Sequence, residues 1–312
     1  MNTTAPLRFS RRRFLQMALA ICAGGLWPKR GLGAQTDRLL HRRIPASGEL
    51  LPAVGLGTYR VFDVHDDAAA GARLETVLRR FVALGGSVID SSPMYGSAEA
   101  VVGDLSAALG LRERLFLATK VWTTGRAAGI RQMEDSLRRM RTPVMDLMQI
   151  HNLVDWRTQL ETLRAWKREG RIRYIGITHY VPGAFDELEA IMKGERIDFV
   201  QLPYSIATRD AERSLLPLAQ QRGIAVLVNR PYEQGALFHR VRGRPLPPWA
   251  NDYGIASWGQ YFLKFILAHP AVTCVIPATG KPRHLEDNMG AGFGRLPDAA
   301  ARERMADYFM RS

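Results

Sequence analysis

Gly86-Ser87-Val88-Ile89-Asp90-Ser91-Ser92-Pro93-Met94-Tyr95-Gly96 holds a short β-branched run that ends on an acid and opens into a polar loop. Just before it, Leu74, Val77, Leu78 and Phe81 recur at i, i+3, i+4 and i+7, the signature of an amphipathic helix, and Gly85-Gly86 stops that helix. A helix, a glycine stop, a buried strand and a polar exit make one unit of an alternating α/β chain.

Reading outward, the same unit recurs. Apolar runs occupy Ala53–Leu56, Ser87–Ile89, Leu115–Ala118, Met145–Ile150, Arg173–Ile177, Phe199–Leu202, Ala225–Val228 and Val272–Ile276. Between two of them, Ile130, Met133, Leu137 and Met140 repeat the helical spacing, and that segment ends before Pro143. Strands that alternate with helices pair in parallel, because each crossover returns the chain to the same end of the sheet. Eight such units close into a (β/α)8 TIM barrel. The rival is a doubly wound open sheet, which wants a glycine-rich turn leading straight into a helix. Gly55-Leu56-Gly57-Thr58 is followed instead by the polar stretch Asp63 to Asp67, so the barrel is the better reading. Ahead of the first barrel strand, Leu40–Ile44 and Glu49–Leu51 flank Pro45-Ala46-Ser47-Gly48, a hairpin suited to plugging the barrel's lower end. The interval from Val228 to Val272 is long and contains Arg244-Pro245-Leu246-Pro247-Pro248-Trp249, the composition of a loop excursion at the mouth.

The chain has 312 residues, 46% of them hydrophobic, ample for one barrel core. Its formal charge of +13 suggests a polyanion partner, but Arg8, Arg11, Arg12, Arg13, Lys29 and Arg30 carry six of those charges ahead of the first acid, Asp37. Without them +7 remains, spread among acids on helical faces, and a nucleic-acid role loses its support. Ser10-Arg11-Arg12-Arg13-Phe14-Leu15-Gln16 precedes the apolar stretch Met17 to Trp27 and the small residues Gly31, Gly33 and Ala34. A basic start, an apolar stretch too short to span a bilayer and a small-residue boundary make a signal peptide. The paired arginines resemble the twin-arginine (Tat) signal, with Gln16 where lysine is usual. Residues 1–34 are therefore expected to be a leader handled by the twin-arginine translocase. Residues 35–312 are expected to form a barrel delivered to the periplasm, with no stable membrane span. Leu19-Ala20-Ile21-Cys22 leaves a lipidation box as an alternative. Of the two cysteines, Cys22 lies in the leader, so the mature chain holds Cys274 alone and no internal disulfide, which suits folding before export. The seven histidines show no metal-ligand spacing.

The candidate chemistry sits at strand ends. Asp90 closes one strand and Tyr95 follows five residues later; Lys120 and Trp122 end Leu117-Ala118-Thr119-Lys120-Val121-Trp122; His151 ends Asp146-Leu147-Met148-Gln149-Ile150-His151. In a barrel these ends share one mouth. In this order and context, from about Leu39 to Asn288, the chain resembles the aldo-keto reductase family. That resemblance implies transfer of hydride from NADPH to an aldehyde or ketone carbonyl, with Tyr95, Asp90, Lys120 and His151 as the catalytic tetrad. The chemistry fits these residue types. Hydride addition leaves an alkoxide that needs a proton; Tyr95 is the general acid, and the Lys120 ammonium lowers its pKa from about 10. Asp90 holds Lys120, and His151 donates a hydrogen bond to the carbonyl oxygen.

The resemblance also implies a cofactor site. Gly57 and Thr58 follow the first strand, Thr178-His179 and Gln201 stand where the family grips the carboxamide, and Asn229-Arg230-Pro231 stands where an aromatic usually stacks on the nicotinamide. Asn229 cannot stack. After the eighth strand, Pro277, Thr279, Lys281, Arg283, His284, Asp287 and Asn288 resemble the ribose, 2′-phosphate and adenine contacts, which favours NADP, with NAD the alternative. Tyr59, Trp122, Trp156 and Trp249 are the candidate substrate wall, suited to an apolar or aromatic carbonyl compound. The alternative function is an exported barrel that holds its nucleotide for sensing or docking, with little turnover.

Overall fold

The computed structural model of the chain describes residues 38–65 and 67–311; the leader read over residues 1–34 lies outside them. An antiparallel hairpin, β1 (His41–Arg43) and β2 (Leu50–Pro52), comes first. Eight parallel strands follow: β3 (Leu56–Gly57), β4 (Val88–Asp90), β5 (Phe116–Val121), β6 (Met145–His151), β7 (Ile172–Thr178), β8 (Phe199–Pro203), β9 (Ala225–Asn229) and β10 (Val272–Val275). They neighbour one another in chain order. The seam between the last and the first is closed by backbone. Gly55 N–H donates to Val275 O (2.8 Å), Val275 N–H to Ala53 O (2.9 Å) and Gly57 N–H to Pro277 O (3.1 Å), with bridges Val54–Val275 and Gly57–Ala278. A closed barrel results, with no free sheet edge.

The first barrel run was expected over Ala53–Leu56, and the ladder to β4 covers only Leu56–Gly57. Residues 53–55 pair with the other neighbour, β10, and Gly57 pairs on both sides, with β4 and with Pro277–Ala278. β5 also runs past the expected Ala118 to Val121. Thr119 and Lys120 are buried polar residues, and an apolar run cannot announce them.

Helices α1 (Ala68–Ala83), α2 (Ala98–Ala108), α3 (Arg126–Arg139), α4 (Trp156–Arg168), α5 (Phe185–Gly194) and α6 (Leu215–Arg222) alternate with the strands. Then come α7 (Ala236–Arg240), α8 (Trp258–Leu267), α9 (Pro282–Gly290) and α10 (Ala299–Met310). The first helix shows how the sequence sets them. Asp67 caps α1 by accepting the Ala70 N–H at 2.9 Å, and Leu74, Val77, Leu78 and Phe81 face the core. Gly85 then turns the chain at φ +87°, a left-handed conformation that glycine adopts freely. No described helix is long and apolar enough to cross a membrane.

Two apolar regions result. One lies between strands and helices, and the other fills the barrel: Val88, Phe116, Ala118, Leu147, Tyr174, Phe199, Ala225, Leu227, Cys274 and Ile276, joined by Ile44 and Leu51 of the hairpin. Inward positions alternate along each strand. Following them toward the carboxyl ends, the fillers become polar: Asp90 after Val88, Lys120 after Ala118, Gln149 and His151 after Leu147, Thr178 beyond Tyr174, Gln201 after Phe199 and Asn229 after Leu227. The barrel is oil at one end and a hydrogen-bonding floor at the other.

The seam permits a sharp test. A Cβ added at Gly57 would lie 2.8 Å from the Ile276 carbonyl oxygen, a backbone atom, whereas one added at Gly71 on α1 meets nothing within 4 Å. Gly57→Ala is expected to lower stability by about 1–3 kcal/mol. Gly71→Ala should raise it by roughly 0.5–1 kcal/mol. Urea midpoints that move in opposite directions at unchanged slope would bear this out, and equal shifts would refute the reading of the seam.

Candidate active site

A lysine fully shut away from water ties the floor together. Lys120 Nζ donates to Asp90 Oδ2 at 2.7 Å and to the Ser91 carbonyl at 2.6 Å. The second carboxylate oxygen, Asp90 Oδ1, accepts from Gln149 Nε2 and Gln201 Nε2, each at 2.9 Å. Gln201 Nε2 also donates to Gln149 Oε1 (3.1 Å), and its own oxygen accepts from Thr178 Oγ1 (3.1 Å) and Asn229 Nδ2 (3.3 Å). Gln149 has room because its partner on β7 is Gly176, where a Cβ would come within 2.8 Å of the glutamine Cγ. Thr58 Oγ1 donates to the Asp90 carbonyl and pairs with the Ser91 hydroxyl, both at 3.0 Å, and so braces the start of the loop. Burial alone would pull the Lys120 pKa down; Asp90 and Tyr95 beside it more than offset this, and the ammonium is held above its ordinary value.

Tyr95 and His151 stand over this floor. Lys120 Nζ lies 5.2 Å from the Tyr95 ring centre, and the Tyr95 and His151 rings meet edge to face at 6.0 Å. Burial raises the Tyr95 pKa more than the Lys120 charge lowers it, and Asp90 adds to the rise. The expected lowering by lysine is thus present, but it is outweighed by loss of water around the phenol. His151 is pushed down to about 3 by burial, then by the Lys120 charge and His179, so the imidazole is neutral. Its Nδ1 lies 3.0 Å from Ser92 Oγ.

Around the mouth, Tyr59 packs on Tyr95 (ring centres 5.0 Å apart) and Trp122 approaches His151 (6.3 Å), both about two-fifths exposed. His179 lies parallel to Tyr180 at 5.5 Å, and its Nδ1 accepts the Val181 N–H at 3.2 Å, which leaves Nε2 as its donor. Arg230, at φ +50°, sets its guanidinium over the Tyr180 ring and donates to the Tyr180 carbonyl. Pro231 is buried. Asn229 donates to Gln201 and to the His179 carbonyl, while its Oδ1 is buried without a partner among the described residues.

The α9 loop contains two kinds of residue. Lys281, Arg283 and His284 are exposed at the start of the helix; the buried Thr279 accepts the Lys281 N–H at 3.2 Å, and Pro277 joins the barrel seam. Asp287 and Asn288 face inward instead. Asp287 accepts from Ser257 Oγ (2.7 Å) and Gln260 Nε2 (3.1 Å), and Asn288 accepts from the Tyr232 hydroxyl (2.6 Å), fastening α9 to α8 and to the segment after β9.

The other two candidate wall residues, Trp249 and Trp156, have aromatic or cationic partners of their own. Trp249 packs on Tyr261 and Tyr308 under the Arg304 guanidinium, and Trp156 opens α4 beneath Arg157. Conversely, Gln149, Ser92 and Tyr180 were not singled out in the sequence. Gln149 carried a signal, being a polar residue in register with Leu147 and His151 on the inward face of an apolar strand.

A family model for the aldo/keto reductase family matches residues 53–303. Methylglyoxal reductase YeaE of Escherichia coli is 31% identical over 258 residues, 80% of this chain and 88% of the relative. An aldo/keto reductase from Klebsiella pneumoniae, solved in complex with NADP and acetate, is 28% identical with a TM-score of 0.70, covering 84% of this chain and 93% of that one. A second structure from the same organism, in complex with NADPH, has 28% identity and a TM-score of 0.69, covering 84% and 92%. With the alternation, the closed barrel and the strand-end residues already in place, these likenesses assign the chain to the aldo/keto reductase family.

Proposed function

We propose that the barrel reduces an aldehyde or ketone using NADPH, with Tyr95 as the proton donor. The observation that carries this reading is the buried Asp90–Lys120 pair beneath the Tyr95 ring, with a neutral His151 beside it. His151 donates a hydrogen bond to the carbonyl oxygen and draws negative charge onto it. Tyr95 gives its hydroxyl proton to that oxygen, and the Lys120 ammonium stabilises the phenolate left behind. Asp90, saturated by two glutamines, keeps Lys120 charged and aimed. Tyr59 and Trp122 flank the substrate.

The residues present suit a nicotinamide dinucleotide. Asn229 Oδ1 is a buried acceptor with no partner among the described residues, matched to a carboxamide N–H, and Thr178, His179 and Gln201 supply further polar groups around it. The exposed cations of Lys281 and Arg283 at the start of α9, with Thr279 and the His284 imidazole as further polar groups, suit a ribose 2′-phosphate and favour NADP over NAD. Gly57, Thr58, Arg230, Pro231 and Pro277 would line the same mouth, and Asp287 and Asn288 would set the helix against the adenine end. When bound, the cofactor supplies the hydride. We also assign residues 1–34 to export through the twin-arginine translocase into the periplasm and the hairpin to closing the barrel's lower end. Packing of Ile44 and Leu51 against the interior residues supports the second assignment.

Purified protein is expected to consume NADPH faster than NADH in the presence of aldehydes, ketones or quinones, with methylglyoxal, named for the E. coli relative, in the panel. Tyr95→Phe should lower kcat by about 100- to 10,000-fold while NADPH affinity by fluorescence titration changes less than about threefold. No oxidation with any carbonyl, or full activity in the variant, would overturn the reading.

The protonation states give a second test. Tyr95 titrates above its ordinary value and His151 only at about 3, so neither changes charge across the neutral range. For reduction, kcat/KM is therefore expected to stay level from about pH 6 to about pH 9. A limb near 6.5, the ordinary histidine value, that disappears in His151→Gln would show that this imidazole titrates and is not the neutral donor.

A further inference from the structure

We infer that Ser92 is a positioning residue: its hydroxyl donates to Nδ1 of His151 and thereby fixes the imidazole in the tautomer that carries its proton on Nε2. The consequence for catalysis rests on the carbonyl-reductase reading, but the tautomer itself does not.

The donor and acceptor inventory leads there. A neutral imidazole has one N–H and one lone pair, and which nitrogen holds the proton is set by the hydrogen bond made at the other. Ser92 Oγ lies 3.0 Å from Nδ1, and both residues are buried. Ser92 Oγ already accepts from the Met94 N–H at 3.4 Å. If Nδ1 carried the proton and donated to Ser92 as well, the serine hydroxyl proton would have no acceptor among the described residues, and a buried orphaned donor is costly. If the serine donates, both of its roles are filled and Nδ1 supplies the lone pair. The proton then sits on Nε2, which has no hydrogen-bond partner among the described residues and so is free to donate to a substrate oxygen. The opposite tautomer would present a lone pair to that oxygen and repel it.

The placement follows from chain geometry. Ser92 is held by the turn in which Tyr95 N–H donates to the Ser92 carbonyl at 3.0 Å. The hydroxyl that sets the His151 proton is thus built into the loop that carries Tyr95.

The test reads the tautomer directly. Two-bond nitrogen–proton NMR correlations on the full chain carrying isotope-labelled histidine, with the His151 signals identified by their loss in His151→Gln, should show the Nε2–H form in the parent protein. In Ser92→Ala the His151 signals should shift toward a mixture of the two forms. Its kcat/KM should fall by about 10- to 100-fold, mainly through kcat, and Ser92→Thr, which keeps a hydroxyl, should restore both readouts to within about threefold. A parent protein showing Nδ1–H at His151, or a Ser92→Ala spectrum with the tautomer unchanged, would overturn the inference. The parent spectrum decides even if Ser92→Ala folds poorly. It is recorded without substrate, so a protein that turns over no carbonyl refutes the proposed reaction and leaves the assignment of Ser92 to be judged by the spectrum.

Discussion

An ammonium group cannot stand inside a barrel without a carboxylate, and the Asp90–Lys120 pair sets conditions that much of this site exists to meet. Removing both charges from water costs several kcal/mol per ion, which their attraction offsets only when every remaining lone pair and proton finds a partner. Here Lys120 gives two of its three protons to Asp90 and the Ser91 carbonyl, with the Tyr95 side chain as its further partner, and the other carboxylate oxygen takes two glutamine N–H groups. Those glutamines must come from β6 and β8, across the interior. One of them needs a glycine opposite it, and the other is held by Thr178 and Asn229. The pair, on β4 and β5, therefore constrains residues on four further strands, β6 to β9.

This constraint explains why the interior changes character along its axis. A barrel packed throughout with Val, Leu and Phe would gain stability but hold no charge, and a polar interior throughout would leave groups unsatisfied. The chain places its aromatic fillers, Phe116, Tyr174 and Phe199, at one end and its hydrogen-bonding residues at the other. The strand termini are where backbone pairing ends and loops begin, so polar side chains there can find both partners and ligands.

The two layers were not equally legible in the sequence. The alternation of runs and helices marked all eight strands, because burying a strand on both faces demands apolar residues whatever the function. The buried polar residues at strand ends were legible too, since Asp90, Lys120 and His151 each interrupt an apolar run at its end. The supporting network was not. Ser92 sits in a loop of small polar residues where nothing in the spacing distinguishes it from Ser91, and the uneven pairing of residues 53–57 with their two neighbours depends on closure of the whole barrel. Trp249 shows the same limit from another side: a tryptophan in a long excursion reads as a wall of the pocket, and nothing in the spacing shows that its ring also meets Tyr261, Tyr308 and the α10 arginine Arg304.

The balance at Tyr95 bears on direction. A lysine that simply acidified the phenol would leave part of it deprotonated at rest, and a phenolate cannot donate. Burial prevents this: loss of hydration raises the pKa more than Lys120 lowers it, so the hydroxyl stays protonated until a base appears. On the proposed reaction that base is the alkoxide itself. As the proton leaves Tyr95, negative charge grows on the ring beside an ammonium already desolvated and fixed by Asp90, so the attraction is strongest once transfer is under way. An interaction that strengthens toward the transition state accelerates the step, whereas one already complete in the resting enzyme would not. The same low-dielectric enclosure that protonates Tyr95 at rest thus makes Lys120 effective at the moment of transfer.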